Sequence, residues 1–151
     1  MSIADWGSVT WTLFHTLAEK LKENNEEHIP IIFGQITNIC KNLPCPTCRE
    51  HAIHSLNTCN RNKINSREKL IRFLWEFHNI VNKRKDIKPM PLEQCIELYK
   101  KSRTGIVVQN FLNIFSLNAR NEKGMMDTFH RARCIEQFKK YIVHHHSKFN
   151  N

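Results

Sequence analysis

The sequence has little of what sheets are built from. Of its 151 residues 4 are glycine and 5 are proline, too few for the turns of a sandwich or barrel made of many short strands. No stretch alternates convincingly between apolar and polar residues, and no internal repeat is present. No apolar run approaches the ~20 residues of a membrane span. The opening residues, Met1-Ser2-Ile3-Ala4-Asp5-Trp6-Gly7, lack the basic start and apolar core of a secretory signal. Acidic residues are outnumbered, with 23 Lys and Arg against 14 Asp and Glu for a net charge of +9. Such a surface attracts nucleic acid, an acidic membrane or a phosphate-bearing cofactor, or is simply solvated. The basic residues are dispersed and form no known nucleic-acid-reading motif, so no nucleic-acid partner is expected. At 40% hydrophobic and 25% charged, the composition is that of one globular domain able to bury a core.

What is present is helical periodicity. Residues 5–23 carry Trp6, Val9, Leu13, Phe14, Leu17 and Leu21 on one stripe, with Asp5 as N-cap and Trp11 and His15 on an adjacent stripe. Residues 29–43 repeat the pattern through Ile32, Phe33, Ile36 and Cys40, with Pro30 in the first turn. Cys40 on that stripe reads as a buried, inert thiol. Pro44 stops the helix. The next runs from about Cys45 to Asn57, with Cys45, Cys48, Ala52, Leu56 and Cys59 inward and His51 one turn past Cys48. After a polar loop, Asn65 and Glu68 suggest a capping box for a helix over 66–84. Its apolar side is Leu70, Phe73, Leu74, Phe77 and Val81.

The other side of that helix carries Trp75, His78, Asn79 and Asn82, spaced to share one face. An aromatic plane beside donors and acceptors suits a planar heteroaromatic ligand, or a polar face packed on another helix. Further helices are expected near 92–103, 106–117 and 125–143. The last two carry Val108, Phe111, Leu112 and Phe115, then Phe129, Ala132, Ile135 and Ile142. The fold class is all-α, a bundle with short connections.

Six cysteines are present, too dispersed for a disulfide-dense miniprotein. Cys45-Pro46-Thr47-Cys48 supports two chemistries. As a zinc module, Cys45 and Cys48 would need partners among Cys59, His51, His54 or Cys40, but no second CxxC supplies the usual tight pair. As a redox centre, a CxxC at a helix N-terminus gains from unpaired NH groups and the helix dipole, which stabilise a thiolate. Thioredoxin achieves this on a βαβ framework that is missing here, so an all-α redox pair needs a bound cofactor as electron acceptor.

Three motifs taken together resemble the Erv/ALR family of FAD-linked sulfhydryl oxidases. They are Trp6-Gly7-x-x-x-Trp11-x-x-x-His15, then Cys45-x-x-Cys48, then His78-Asn79-x-Val81-Asn82-x-Arg84. The resemblance covers about residues 4–103 and is most like the compact oxidases of large DNA viruses. It implies a four-helix bundle holding FAD, a short fifth helix over the core 1–103, and a homodimer. The segment 104–151 is then a helical extension packed on the same domain. It implies that dithiol protein substrates are oxidised with O2 as acceptor, yielding hydrogen peroxide. Cys48 would face the flavin and Cys45 the substrate. Gly7, Trp11, His15, Cys48, His51, His78, Asn79, Val81 and Asn82 match cofactor-contacting positions, with Arg84, Lys85 and Lys88 placed for the FAD phosphates. Trp75 fits the aromatic wall of the cofactor site, although the family's tryptophan usually stands two residues earlier, where this chain has Phe73. Tyr99 is a weaker candidate, and no metal ligand is implied.

The chain departs from the family pattern in two ways. Trp75 stands where many cellular members place a cysteine of a structural disulfide, with Cys95 farther along than its partner would be. No second CxC or CxxC shuttle is present either. The compact form implies a viral source, with action in host cytoplasm or virion, or otherwise in an organelle of disulfide formation.

Overall fold

From Leu13 to Glu19 every residue of the first helix is buried, so that stretch leaves no face to solvent and must be surrounded. The computed structural model describes the backbone of residues 3–120 and 125–151, and the side chains of 6–117 and 127–151. Among these residues are seven α-helices and no strand: α1 (Ile3–Lys20), α2 (Ile29–Cys40), α3 (Pro46–Thr58), α4 (Arg67–Arg84), α5 (Leu92–Lys100), α6 (Thr104–Arg120) and α7 (Met125–His145). The class is all-α, as the periodicity predicts. Short 3-10 turns sit at Glu26–His28, Arg61–Lys63 and His146–Lys148.

The surroundings of α1 are α4, α5 and α6. Polar groups on this enclosed helix are matched in place: Thr10 donates to the Trp6 carbonyl at 2.6 Å, and Thr16 meets the Ser102 hydroxyl at 2.9 Å. Arg67 donates to the Glu19 carbonyl at 2.8 Å. Burial raises the Glu19 carboxyl above its ordinary range, and Arg67 opposes that rise. Phe33 of α2 and Phe73 of α4 meet with ring centroids 5.4 Å apart.

The C-terminal helices join the same buried apolar cluster. Val107, Val108, Phe111 and Phe115 of α6, with Phe138 of α7, belong with Leu13 and Leu17. The tail is pinned to the end of α1. Lys22 N–H donates to the Lys148 carbonyl at 2.9 Å, Asn150 N–H to the Lys20 carbonyl at 2.7 Å, and the Thr104 hydroxyl to the Asn150 carbonyl at 2.6 Å.

Several local expectations are corrected. Helix α1 begins at Ile3, so Asp5 does not cap it, and that side chain lies outside the described residues. The cap of α4 is Ser66, whose hydroxyl accepts from Lys69 N–H at 3.2 Å; Asn65 instead accepts from the Lys69 ammonium at 3.0 Å. The helix thus starts one residue later than an Asn65/Glu68 box requires. On α7 the buried face is Arg131, Cys134, Ile135, Phe138 and Tyr141, while Phe129 and Ala132 are exposed. Arg131 takes a core position because its Nε donates to the Asn42 carbonyl at 2.8 Å. A sequence stripe drawn through apolar residues alone passes over such a residue.

Candidate active site

Prolines at 44 and 46 set the geometry of the CxxC. Pro46 occupies the first turn of α3, where its missing N–H costs nothing. Cys45, extended at φ −105° and ψ 116°, is the N-cap, and its sulfur accepts from the Cys48 N–H at 3.2 Å. Cys45 and Cys48 form a disulfide. Arg49 ties the approach down: its N–H donates to the Cys45 carbonyl at 3.0 Å and its guanidinium to the Leu43 carbonyl at 2.9 Å. Cys48 sits in the first turn of α3, where exposed NH groups favour a thiolate once the bond is opened.

The two sulfurs have unequal settings. Cys48 lines an apolar hollow of about 230 Å³ between α1, α3 and α4, while Cys45 is not part of its wall. Trp6, Gly7, Trp11 and Phe14 form one side, and His51, Phe77, Val81 and Arg84 help to close the others. A second hollow of about 510 Å³ shares Gly7, Trp11, Val81 and Lys85, and adds His78, Asn82 and Tyr99. A Cβ placed on Gly7 would meet nothing within 4 Å. Its missing side chain therefore keeps both hollows open and does not serve a tight backbone contact.

Aromatic rings fix the back of this cleft. Trp11 stacks on His78 with centroids 4.2 Å apart and 6° between planes, and meets Phe77 edge-on at 4.9 Å. Behind them His15 Nε2 lies 2.9 Å from His78 Nδ1, and His15 Nδ1 lies 3.7 Å from the Cys95 sulfur. The ring of Tyr99 covers His15 at 4.5 Å. Burial, reinforced by His78, lowers the His15 pKa to about 3; burial and then the Lys85 charge lower that of His78 to about 4. Both rings are neutral at physiological pH. Across their 2.9 Å contact one imidazole donates and the other accepts, so the tautomers of the two rings are linked.

The structure brings Gly7, Trp11, Cys48, His51, His78, Val81, Asn82, Arg84 and Lys85 to this cleft, with His15 directly behind it. Trp75, Asn79 and Lys88, with Pro89, line an adjoining hollow that shares Ile87 with the second one. Trp75 Nε1–H donates to the Met90 carbonyl at 2.6 Å, and the Asn79 amide donates to that carbonyl and accepts the Met90 N–H, both at 3.1 Å. The four-residue face spans roughly 100° of α4, wide enough to divide between two neighbours. Cys40, Leu43 and Phe77 also wall the first hollow, and nothing in their spacing separates them from ordinary core residues.

Chemically, the cleft offers flat aromatic walls for a planar ring and the cations Arg84 and Lys85 for an anionic tail. One sulfur of a disulfide is on its wall, a donor set that fits FAD. Among the described residues no group of three or more His, Cys, Asp or Glu is placed to hold a metal ion, so the zinc alternative finds no ligand set there. No helix among them is long and apolar enough to cross a membrane.

Residues 8–102 match the model of the Erv1 / Alr family. The chain is 32% identical over 99 residues to the FAD-linked sulfhydryl oxidase of African swine fever virus, covering 64% of this chain and 82% of that protein. It is 29% identical over 107 residues to a probable FAD-linked sulfhydryl oxidase of Acanthamoeba polyphaga mimivirus, covering 69% and 75%. With a probable FAD-linked sulfhydryl oxidase of fowlpox virus it shares 28% over 95 residues, covering 63% and 89%. No solved structure matches the chain.

Proposed function

The chain belongs to the Erv1/Alr family, and on that premise we propose that it is an FAD-linked thiol oxidase. It makes disulfides in dithiol protein substrates and gives the electrons to O2. The observation that carries this reading is the Cys45–Cys48 disulfide at the start of α3, with Cys48 on the wall of the aromatic cleft.

A substrate thiolate attacks the Cys45 sulfur, breaking the Cys45–Cys48 bond and leaving a thiolate on Cys48. A second substrate thiolate attacks the substrate sulfur of that mixed disulfide and releases Cys45. The substrate thereby loses two electrons and two protons, and the CxxC pair gains them. The first turn of α3 holds the Cys48 thiolate by its NH groups. FAD, when bound, supplies the two-electron acceptor that restores the disulfide and reduces O2, with two protons, to hydrogen peroxide.

Trp11, His51, His78, Val81 and Asn82 would hold the cofactor, and Gly7 leaves it room. Arg84 and Lys85 would meet its phosphates, with Lys88 on the adjoining hollow. His15 fixes the ring and tautomer of His78. Trp75 and Asn79 act one step back, by holding the segment that ends at Met90. The family resemblance supports a homodimer with 1–103 as its oxidase core. The viral relatives support a viral source, and action in host cytoplasm or virion.

The test is oxygen uptake by the purified protein with dithiothreitol. One hydrogen peroxide per dithiol is expected, and Cys45→Ser and Cys48→Ser each abolish uptake. A flavin-loaded wild-type protein that consumes no oxygen with any dithiol contradicts the proposal.

A further inference from the structure

A polar cleft between the end of α2, the first turns of α3 and α7 is built partly from residues beyond the family match. It has a volume of about 440 Å³ and lies between the 38–49 stretch and α7. Its walls are held apart at fixed width. Asn38 donates to the Gln137 side chain at 3.0 Å, and the buried Arg131 donates to the Asn42 carbonyl at 2.8 Å. The lining is polar and its charge is mainly positive: Lys41, Arg49 and Arg133 against Asp127, the single carboxylate among its described residues. Asp127 is already engaged, 3.4 Å from the Arg49 guanidinium. Lys41, His130 and Arg133 stand exposed on the rim.

Position gives this charge a use. Lys41 precedes and Arg49 follows Cys45 by four residues, and the Arg49 N–H is bonded to the Cys45 carbonyl at 3.0 Å. Arg49 lines the cleft one helical turn after Cys45, so the cleft adjoins the start of α3 that carries Cys45, the sulfur outside the cofactor cleft. We propose that the α7 cleft docks an acidic stretch of the dithiol protein whose cysteines Cys45 oxidises. The proposal rests on the oxidase reading above and adds the chemistry of its substrate. A carboxylate-bearing segment exchanges into a site of opposite charge, which speeds encounter and orients the neighbouring thiol. The segment 104–151 then has a role: α7 is one wall of the docking site.

The flavin-loaded full-length protein is assayed with dithiothreitol and with two peptides carrying the same cysteine pair, one flanked by Glu and Asp, the other by Lys and Arg. In low salt the wild type is expected to favour the acidic peptide by about tenfold in kcat/KM, and that preference shrinks as salt rises. In a Lys41→Glu/Arg133→Glu variant, both changes on exposed side chains, the acidic preference is lost through KM, while dithiothreitol turnover is unchanged. A cysteine-free acidic peptide, followed by fluorescence anisotropy, binds wild type and not the variant whether or not any dithiol is oxidised. Equal handling of both peptides by wild type overturns the docking site, as does equal anisotropy binding by wild type and variant. Absence of dithiothreitol oxidation with intact peptide binding overturns the oxidase reading and leaves the docking site standing.

Discussion

His15 Nε2 lies 2.9 Å from His78 Nδ1 beneath the Trp11 ring, with His15 buried, His78 half-buried and both neutral at physiological pH. Burial lowers both folded pKa values below the unfolded value of 6.5. Between that value and the folded pKa values, about 3 and about 4, the unfolded chain binds protons that the folded chain refuses. Stability therefore rises with pH through this window and is fully present above it. The melting temperature should fall as pH drops from 7 toward 4, and a His15→Asn/His78→Asn variant should show a shallower fall. Equal slopes would mean that the pair does not titrate as described.

Gly7 is predicted to control occupancy of the cleft. Gly7→Leu places a side chain in the open space that both hollows share. The variant should keep its helical circular dichroism and lose flavin affinity by at least about tenfold. Titration of the apoprotein with FAD, followed by fluorescence quenching, measures it. Undiminished affinity would place the cofactor elsewhere.

The Asn79–Met90 pairing predicts a structural effect at a motif residue. Asn79→Ala leaves the Met90 N–H without its side-chain acceptor and removes one of two donors to the Met90 carbonyl. A half-buried loss of this kind costs about 1–3 kcal/mol, read from urea unfolding. Trp75→Phe should be partly redundant with it, because both side chains serve one carbonyl, so the two costs should not add.

The six cysteines should separate by reactivity. Cys40, Cys95 and Cys134 are buried, and burial raises all three thiols, Cys95 to about 11 and Cys134 to about 12. Cys59 is half-buried, and Cys45 and Cys48 are paired. Alkylation of the native protein should give one slow adduct, at Cys59, by peptide mass spectrometry. Mild reduction should add Cys45 and Cys48 and leave the buried three unmodified. Rapid labelling of Cys40 or Cys95 would contradict the packing around the cleft.

Periodicity located the helices because an apolar stripe must find a partner, and α1, α2, α4 and α6 bury the stripes it names. It could not divide a face between neighbours. Trp75 and His78 lie one turn apart, yet one serves the Met90 carbonyl and the other stacks on Trp11, and only tertiary packing separates them. The wall positions of Cys40 and Phe77 were hidden for the same reason, since a pocket lining and a core look alike in one dimension. Arg131 misled the reading of α7 because a buried, bonded guanidinium carries no apolar signal. The CxxC was legible as a helix-starting pair. That Cys48 faces the flavin and Cys45 the substrate comes from the resemblance, and the presence of Cys48 alone on the cleft wall offers a physical basis for it.

The most direct measurement is the visible spectrum of the purified protein during anaerobic addition of a dithiol. A yellow, flavin-containing protein is expected, one that bleaches as electrons pass through Cys45 and Cys48 and regains its colour when air is admitted. Cys48→Ser should stay yellow throughout. A colourless protein, or a flavin that ignores the dithiol while the Cys45–Cys48 bond is reduced, would contradict the oxidase reading.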